Sequence, residues 1–379
     1  MGINRYKDAI TLRINKRLYN YLGWKTNRRI VVIESDDWGS IRMPSKEAFD
    51  NLRFKYPQLA TTYNRFDSIE TDNDLISLFE VLNGVKDKNG SPAIITANAL
   101  MANPDFAKIK ETGYQEYYYE TIDQTFSKSS NSRNCLQLWK EGNERMLFRP
   151  QSHGREHINV INWINELKNG NEAMLHAFEN GYFGITPKTT DGKIIDILPS
   201  CVPNSELDNI RINDIISDGL KLFEKTMGYR SKTFIASNYK WNPSLETTLY
   251  NNGVIGLQGN ISHRYSSFYG NEKLRLRKIS RNGYNLIDIA RNVIFEPTFE
   301  SNGSKSVDIA LESISKAFKH NKPAIICSHR INYVGTMSLG NRDRSLKLLK
   351  NLLSQIKKCW PDVEFMSSDT LCEYIKDNL

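Results

Sequence analysis

Short apolar runs that end in polar or functional residues recur along the chain, and they are separated by longer stretches with helical periodicity. The short runs are rich in β-branched residues and predict strands at 29–37, 92–100, 146–153, 182–186, 232–238, 254–260, 293–299, 323–329 and 363–368. The longer stretches predict helices at 75–85, 158–170, 213–228, 242–253 and 306–321. Strands that alternate with helices of this length indicate parallel βαβ units in an α/β fold. Ligands of such folds bind beyond the carboxyl ends of the strands.

The chain is long enough for one large α/β barrel with insertions. It has 379 residues, of which 39% are hydrophobic and 25% charged, a composition that supports a sizeable core. We therefore expect a single domain over residues 29–379, with excursions at 108–145 and 187–211. No run approaches the ~20 apolar residues that a membrane-spanning helix needs.

Residues 1–28 predict a basic amphipathic helix. Ile10, Ile14, Leu18 and Leu22 recur every four residues, and this segment carries much of the net charge of +8. One interpretation is a helix that packs on the barrel with its charges in solvent. The other is contact with an anionic membrane surface or a phosphate-bearing substrate. Nucleic acid is not an expected partner, because no basic-aromatic recognition motif follows.

The chain begins without the short apolar stretch of a secretory signal. Its five cysteines are scattered, with no paired spacing that would indicate a disulfide framework. These features predict a cytoplasmic protein, with peripheral membrane attachment as the variant that the basic helix suggests.

Two motifs carry the candidate chemistry. Asp36 and Asp37 directly follow the first strand, and one of two close carboxylates can bind a metal while the other acts as a base. His153 and His157 are four residues apart, a spacing that on a helix puts both imidazoles on one face, able to share a metal. His329 ends another strand, where a histidine can protonate a leaving group.

In this order and context the motifs resemble those of the polysaccharide deacetylase family. That family has an Asp-Asp pair after its first strand, a His-x-x-x-His motif and a late histidine after a strand; the segment VEFMSSDTLCEYI also resembles its last strand and helix. The resemblance covers roughly residue 29 to the end and implies an irregular deacetylase-type (β/α) barrel of about seven parallel strands.

Carried over position by position, the resemblance makes Asp36 the general base and His329 the general acid. It makes Asp37, His153 and His157 the ligands of one divalent metal, for which zinc is the default at a nitrogen-rich site. TFIASNYKWN resembles the strand-end motif near the oxyanion site, with the backbone N–H of Tyr239 as a donor.

The implied activity is hydrolysis of an acyl group, N-acetyl above all, from an acetylated carbohydrate, with surface polysaccharide metabolism as a setting. Aromatic and amide side chains near strand ends are candidates for lining the sugar site: Trp38, Asn98, Asn103, Trp241 and Tyr333.

The sequence also departs from the family pattern. Ile235 stands where the family has an arginine that orients the catalytic Asp, Gly154 replaces a hydroxyl residue, and no Asp-Trp motif is recognisable in LIDIARNVIFEP. A catalytically inactive carbohydrate-binding barrel is therefore an alternative. HGREH also matches the H-x-x-E-H metalloprotease signature, which would make Glu156 the base. A two-carboxylate glycoside hydrolase is disfavoured, because its acids stand at least ~5 Å apart.

Overall fold

The computed structural model describes residues 2–188, 192–265, 273–300 and 304–379. Its helices are α1 (Gly2–Tyr21), α2 (Lys46–Lys55), α3 (Thr62–Phe66), α4 (Asp72–Asn83), α5 (Phe106–Glu111), α6 (Ile122–Ser127), α7 (Cys135–Glu144), α8 (Val160–Lys168), α9 (Glu172–Glu179), α10 (Glu206–Met227), α11 (Ser244–Asn251), α12 (Ser304–Lys319), α13 (Leu339–Cys359) and α14 (Ser368–Asp377). Its strands are β1 (Ile30–Trp38), β2 (Ile95–Ala99), β3 (Ala102–Pro104), β4 (Tyr119–Thr121), β5 (Phe148–Ser152), β6 (Thr233–Phe234), β7 (Lys240–Trp241), β8 (Gly256–Leu257), β9 (Ser262–Tyr265), β10 (Lys273–Leu276), β11 (Ser280–Arg281), β12 (Ile287–Asp288), β13 (Val293–Ile294), β14 (Ala324–His329) and β15 (Glu364–Met366).

The main sheet is almost entirely parallel and curls into a barrel. Its strand order is β11-β12-β8-β6-β5-β2-β1-β14-β13, and β15 pairs with the start of β1. β12 lies next to one end of this order and β13 at the other, yet only four residues of chain separate them. The N–H groups of Ile289 and Arg291 bond to the β8 side, and those of Asn292 and Phe295 bond to β14. This single stretch of chain therefore closes the sheet on itself.

Successive side chains of β1 point to opposite faces of the sheet and pack into two separate apolar clusters, one on each face. On β1, Val31 and Ile33 face outward and pack with apolar residues of α4, α7, α12 and α13. Ile30 and Val32 face the other way and pack with Ile325 and residues of α14. Burial of each such side chain is worth about 1.5–3 kcal/mol. β1 is buried along its whole length, which gives the residues at its carboxyl end a rigid support.

Most predicted elements are confirmed, with ends shifted by a few residues, and the predicted deacetylase-type α/β barrel is the observed fold. Two local predictions are wrong. Residues 182–186 form no strand, because Tyr182, Phe183 and Ile185 pack into an apolar cluster with α8 and α9. His153 and His157 lie on a loop, since α8 begins only at Val160 after its Asn159 cap.

The predicted N-terminal helix packs on the barrel through one side. Asn15 and Tyr19 are its buried side chains, whereas Ile10, Ile14 and Leu18 are 43%, 49% and 42% exposed. The apolar face that the four-residue spacing identified is thus turned away from the barrel. Among the described residues, no helix has the length and apolar character required to cross a membrane.

Candidate active site

The two carboxylates near the carboxyl end of β1 reach the same cavity because the strand is irregular between Ser35 and Trp38. Adjacent side chains of a regular strand point in opposite directions. Asp37 has φ +77°, a left-handed conformation that few non-glycine residues adopt and that Asp tolerates better than most. Asp36 and Asp37 are 3% and 1% exposed. Such strain at a cavity wall is typical of functional sites.

Asp37, His153 and His157 converge as the sequence predicted. Asp37 Oδ1 lies 3.6 Å from His153 Nε2 and 3.3 Å from His157 Nε2. Two ligands about 2.0–2.1 Å from a shared tetrahedral ion lie roughly 3.3–3.4 Å apart. Asp37 Oδ1 is buried and has no hydrogen-bond partner, an expensive condition that a cation would relieve. The three side chains therefore fit a divalent metal.

The protonation states of these residues also suit a metal. His153 Nδ1 lies 2.9 Å from the Ile235 carbonyl oxygen, so Nδ1 carries the proton and Nε2 presents a lone pair to Asp37. Burial and the nearby Arg42 guanidinium hold the pKa of His157 well below its ordinary value. Burial opposes ionisation of Asp37, but Arg42 and the two histidines hold the pKa of its carboxyl well below the ordinary value. The site combines one carboxylate with the neutral imidazole of His157 and with His153, whose Nδ1 faces a carbonyl.

A buried chain of alternating charges positions Asp37. Arg42 Nη2 donates to Asp37 Oδ2 over 3.1 Å, which leaves Oδ1 for the histidine side. Arg42 Nε lies 3.6 Å from Asp67, and Arg330 in turn binds both Asp67 and Glu70. Asp67, Glu70 and Arg330 are completely buried. Buried ionic groups that are paired in this way hold a fixed geometry. Arg42, which is fixed by Asp67, therefore orients the Asp37 carboxylate.

Asp36 is held by an arginine that the sequence analysis did not identify. Arg291 forms a bidentate pair with Asp36, with distances of 2.6 and 2.7 Å, and its Nε donates to Glu34 over 2.6 Å. Asn98 donates to Asp36 Oδ1 over 2.7 Å. Burial alone would raise the pKa of Asp36, but Arg291 lowers it to about 2.

Barrel closure explains how Arg291 reaches this position. The residue lies between β12 and β13, where the backbone hydrogen bonds of the chain change from the β8 side to β14. Its side chain is 1% exposed and points at the end of β1. The position where the family pattern has arginine is Ile235, and this residue is completely buried. The arginine that holds Asp36 in this chain therefore comes from the segment between β12 and β13.

His329 lies beside Asp36 because β1 and β14 are neighbours in register, with Asp36 opposite His329. His329 Nε2 is 3.6 Å from Asp36 Oδ2, and Nδ1 is 2.5 Å from Glu296 Oε1. Burial disfavours the charged imidazole, yet the Glu296 carboxylate holds the pKa of His329 well above its ordinary value. His329 is therefore the protonated member of the site and Asp36 the ionised one.

Glu296, Cys327 and His329 form a second group of potential metal ligands. One contact argues against a metal there. His329 Nδ1 is already engaged by Glu296, and the Arg291 guanidinium lies 3.4 Å from Cys327 Sγ. Arg42 Nη2 approaches His157 Nε2 to the same 3.4 Å in the first group, so the occupied His329 Nδ1 is the contact that distinguishes the second group.

A cavity of about 480 Å³ opens beside the two carboxylates and the three histidines. Its volume is within the usual range for small-molecule sites. Its walls come from the ends of several strands and the loops that follow them: Asp36, Asp37, Arg42, Thr61, Tyr63, His153, His157, Gly184, Ile185, Thr186, Leu198, Ala236, Asn238, Tyr239, Lys240 and His329. The aromatic ring of Tyr63 lies beside His329, with 5.9 Å between the two ring centres.

The residues expected to line a sugar site do not line this cavity. Each is at most 1% exposed: Trp38, Asn98, Asn103, Trp241 and Tyr333. Their polar atoms have internal partners, for example Ser35 for Trp38 and Glu246 for Trp241. Asn98 contributes indirectly, through its bond to Asp36. The remaining four serve packing.

Tyr239 lines the cavity, but not in the expected role. Its backbone N–H donates to the Ala236 carbonyl over 3.0 Å, so this N–H is not directed at a reacting oxygen. Its hydroxyl accepts from Arg291 over 2.9 Å. Tyr239 thus supports the arginine that holds Asp36.

Glu156 is not placed to act as a metalloprotease base. It is 2% exposed and forms two hydrogen bonds with Arg155, at 2.6 and 2.8 Å. It does not line the cavity, and its motif is not helical. The geometry of an H-x-x-E-H protease is therefore absent from this described part of the chain.

Four contributors were missed from the sequence: Arg42, Tyr63, Arg291 and Glu296. Arg291 did leave a signal, since an arginine within the apolar stretch LIDIARNVIF has to be buried and paired. Glu296 follows the same stretch at a strand end. Arg42 lies on a loop and Tyr63 in the short helix α3, and no pattern distinguishes them from solvated residues.

Comparisons with known proteins agree with the fold. No family model matches the sequence, and no curated protein matches it. The structure of a protein assigned to the glycoside hydrolases/deacetylases, from Parabacteroides distasonis, matches 93% of this chain and 72% of its own, at 10% identity and a TM-score of 0.52. This likeness confirms the barrel fold that the motifs predicted.

Two further structures match more weakly. A protein assigned to the polysaccharide deacetylases, from Mycobacterium smegmatis, has 9% identity over 94% of both chains and a TM-score of 0.46. A 4-alpha-glucanotransferase from Thermococcus litoralis has 9% identity and a TM-score of 0.45; the match covers 92% of this chain but 40% of the transferase.

Proposed function

We propose that this protein is a metal-dependent hydrolase that removes an acyl group, N-acetyl above all, from a carbohydrate. The observation that carries the proposal is the buried, unpartnered Asp37 Oδ1 facing two imidazole Nε2 atoms at 3.3 and 3.6 Å. Beside it lies a second carboxylate, Asp36, next to His329. The lowered pKa of Asp36 keeps this carboxylate ionised, and the raised pKa of His329 keeps this imidazole protonated. A metal site next to an acid–base pair is the arrangement that assisted hydrolysis requires.

The residues of the acid–base pair have separate tasks. Oδ1 of Asp36 already accepts bonds from Asn98 and Arg291, whereas Oδ2 accepts from Arg291 alone and faces His329. Oδ2 is therefore the atom that receives a proton from the attacking water. His329 Nε2 donates its proton to the departing amine or hydroxyl, and Glu296 keeps that proton in place beforehand.

Asp37, His153 and His157 would hold one divalent cation, with zinc the first choice for two imidazoles and a carboxylate. When bound, the cation supplies Lewis acidity to the acyl carbonyl and to the attacking water. Arg42 orients Asp37, and the Ile235 carbonyl orients His153.

A catalytically inactive carbohydrate-binding barrel is the second candidate. The observation in its favour is the environment of Asp36, whose oxygens are engaged and whose pKa is about 2. A carboxylate so far below neutrality is a weak proton acceptor. The retained partnership of His329 with Glu296 favours the hydrolase.

The test combines metal content with acetate release. Wild-type protein, supplied with zinc and dialysed, is analysed for metals, together with His153→Ala and His157→Ala. His320→Ala is the matched control, because His320 lies on another part of the surface. We expect near-stoichiometric metal in wild type and control, and loss of it in both site variants.

Acetate release from N-acetylglucosamine oligomers and from O-acetylated xylo-oligomers then distinguishes the two candidates. Metal-dependent release supports the hydrolase and identifies the bond attacked. Binding of these sugars without release supports the inactive barrel. A folded wild type that takes up no divalent metal contradicts the proposed site.

A further inference from the structure

Helix α1 is attached to the barrel through Asn15 and Tyr19, and the ring of Tyr19 also packs in an apolar cluster of the barrel. Asn15 donates to Ser262 Oγ over 3.0 Å, and the Tyr19 hydroxyl donates to the Ala290 carbonyl over 3.2 Å. These two residues are 7% and 1% exposed. The attachment thus leaves the apolar residues of the helix available for another surface.

Those residues form one continuous face. Ile10, Ile14 and Leu18 follow at four-residue intervals, Tyr21 comes three residues after Leu18, and Leu22 extends the face just beyond the helix. They are 43%, 49%, 42%, 65% and 41% exposed, in that order. We call this set the apolar stripe. A single exposed leucine needs no explanation, but a contiguous stripe marks an interaction surface.

The charges beside the stripe are of one sign. Arg13, Lys16, Arg17 and Lys25 are exposed, and residues 9–25 contain no Asp or Glu. A second copy of the chain would bring two such basic sets together, and like charges across an interface repel. A nucleic acid would pair with the charges but leave the stripe in water. An anionic lipid surface satisfies both, because its headgroups attract the bases and its acyl boundary accepts the apolar side chains.

We propose that α1 is a membrane-surface anchor, which lies in the headgroup layer of an anionic bilayer with the apolar stripe inserted and the basic residues on the headgroups. Asn15 and Tyr19 tie the anchor to the barrel, so the whole protein is held at the surface. This inference is independent of the proposed hydrolysis, since α1 contributes no residue to the cavity.

Co-sedimentation of the full chain with vesicles tests the anchor. One vesicle preparation contains phosphatidylcholine alone, and the other equal parts of phosphatidylcholine and phosphatidylglycerol. We expect binding to the anionic vesicles only. Ile14→Glu and Leu18→Glu should each lower the partition coefficient at least roughly ten-fold, because each removes the burial of one large aliphatic side chain. Arg13→Gln and Arg17→Gln should each lower it roughly five-fold.

Ile76→Glu is the matched control, because Ile76 lies on α4 and is 44% exposed, like the residues of the stripe. It should bind as wild type does. The substituted side chains are exposed, and unchanged thermal unfolding would show that the variants fold. Equal binding to both vesicle types, or no binding to either, overturns the proposal. A concentration-dependent dimer in sedimentation velocity that Ile14→Glu dissociates would assign the stripe to a second copy instead.

Discussion

Asp36 and Asp37 are neighbours in sequence, equally buried, and ionised for different reasons. Asp36 is held by the bidentate Arg291, and both of its oxygens are engaged. Asp37 receives one bond from Arg42 and leaves its other oxygen to two imidazoles. Position along the chain therefore does not decide the role of a carboxylate; the groups around it do.

The same contrast separates the histidines. His157 is kept neutral by burial and by Arg42, so it can donate a lone pair to a metal. His329 is kept charged by Glu296 in spite of its burial, so it can donate a proton. In the proposed function the site thus consists of a metal half, Asp37 with its two histidines, and an acid–base half, Asp36 with His329.

The largest expected effect comes from exchanging each carboxylate for its amide. Asp37→Asn suits the left-handed backbone at that position but removes the charged ligand, so metal and acetate release should fall to background. Asp36→Asn should keep the metal and lower kcat roughly 10²- to 10⁴-fold through loss of the base. Metal analysis and acetate assays measure both, and equal metal loss in the two variants would contradict the division into halves.

Arg291→Lys tests the acid–base half alone. Lysine keeps the charge but cannot form the bidentate pair, and loss of one charge-assisted hydrogen bond of about 1.5–3 kcal/mol predicts a roughly ten- to hundred-fold lower kcat/KM. Because Arg291 lowers the pKa of Asp36, the substitution should raise that pKa and move the acid side of the pH profile upward.

Arg230→Lys is the control for this substitution, because Arg230 forms an exposed pair with Glu224 far from the cavity. An Arg291→Lys profile identical to that of the control would show that Asp36 does not depend on Arg291 for its ionisation. Arg291→Ala is less informative, since leaving two buried carboxylates unpaired would destabilise the fold by about 3–5 kcal/mol.

The metal half could be predicted from sequence because its ligands are encoded by local motifs. Asp37 lies near the carboxyl end of a fully buried strand, and His153 and His157 lie in one short segment. The three side chains do lie together, although the helical rationale was wrong, since a loop brings the two imidazoles together equally well; their role as metal ligands stays a prediction. The fold class followed from periodicity for the same reason, as each strand and helix is a local pattern.

The acid–base half could be predicted only in part. Asp36 and His329 come from strands that are distant in sequence, and a family motif was needed to join them. Arg291 and Glu296 depend on how the barrel closes, which periodicity does not reveal. Trp38 and Trp241 were predicted to line the cavity but are buried in the core. A position at a strand end does not by itself determine whether an aromatic ring faces the cavity or the core.

Glu296→Gln should shift the alkaline side of the activity profile. His329 donates as the charged imidazole, so activity falls as pH rises through its pKa, which Glu296 holds above the ordinary value. Without that carboxylate the effect of burial dominates, the pKa falls, and the decline should begin at lower pH. Measurement of kcat/KM against pH shows this, and Glu300→Gln, whose carboxylate accepts from Ser306 instead, should leave the profile unchanged.

The smallest effects concern substrate affinity and compare two aromatic residues. Tyr63 lines the cavity, and Tyr63→Ala should raise KM roughly two- to ten-fold through loss of ring contacts. Trp38 is fully buried and bonded to Ser35, so Trp38→Phe should lower the free energy of unfolding by about 0.5–3 kcal/mol and leave KM unchanged. Steady-state kinetics and chemical denaturation separate the two outcomes. A raised KM in Trp38→Phe with wild-type stability would mean that the sugar contacts the rim of the cavity near β1 rather than the Tyr63 wall.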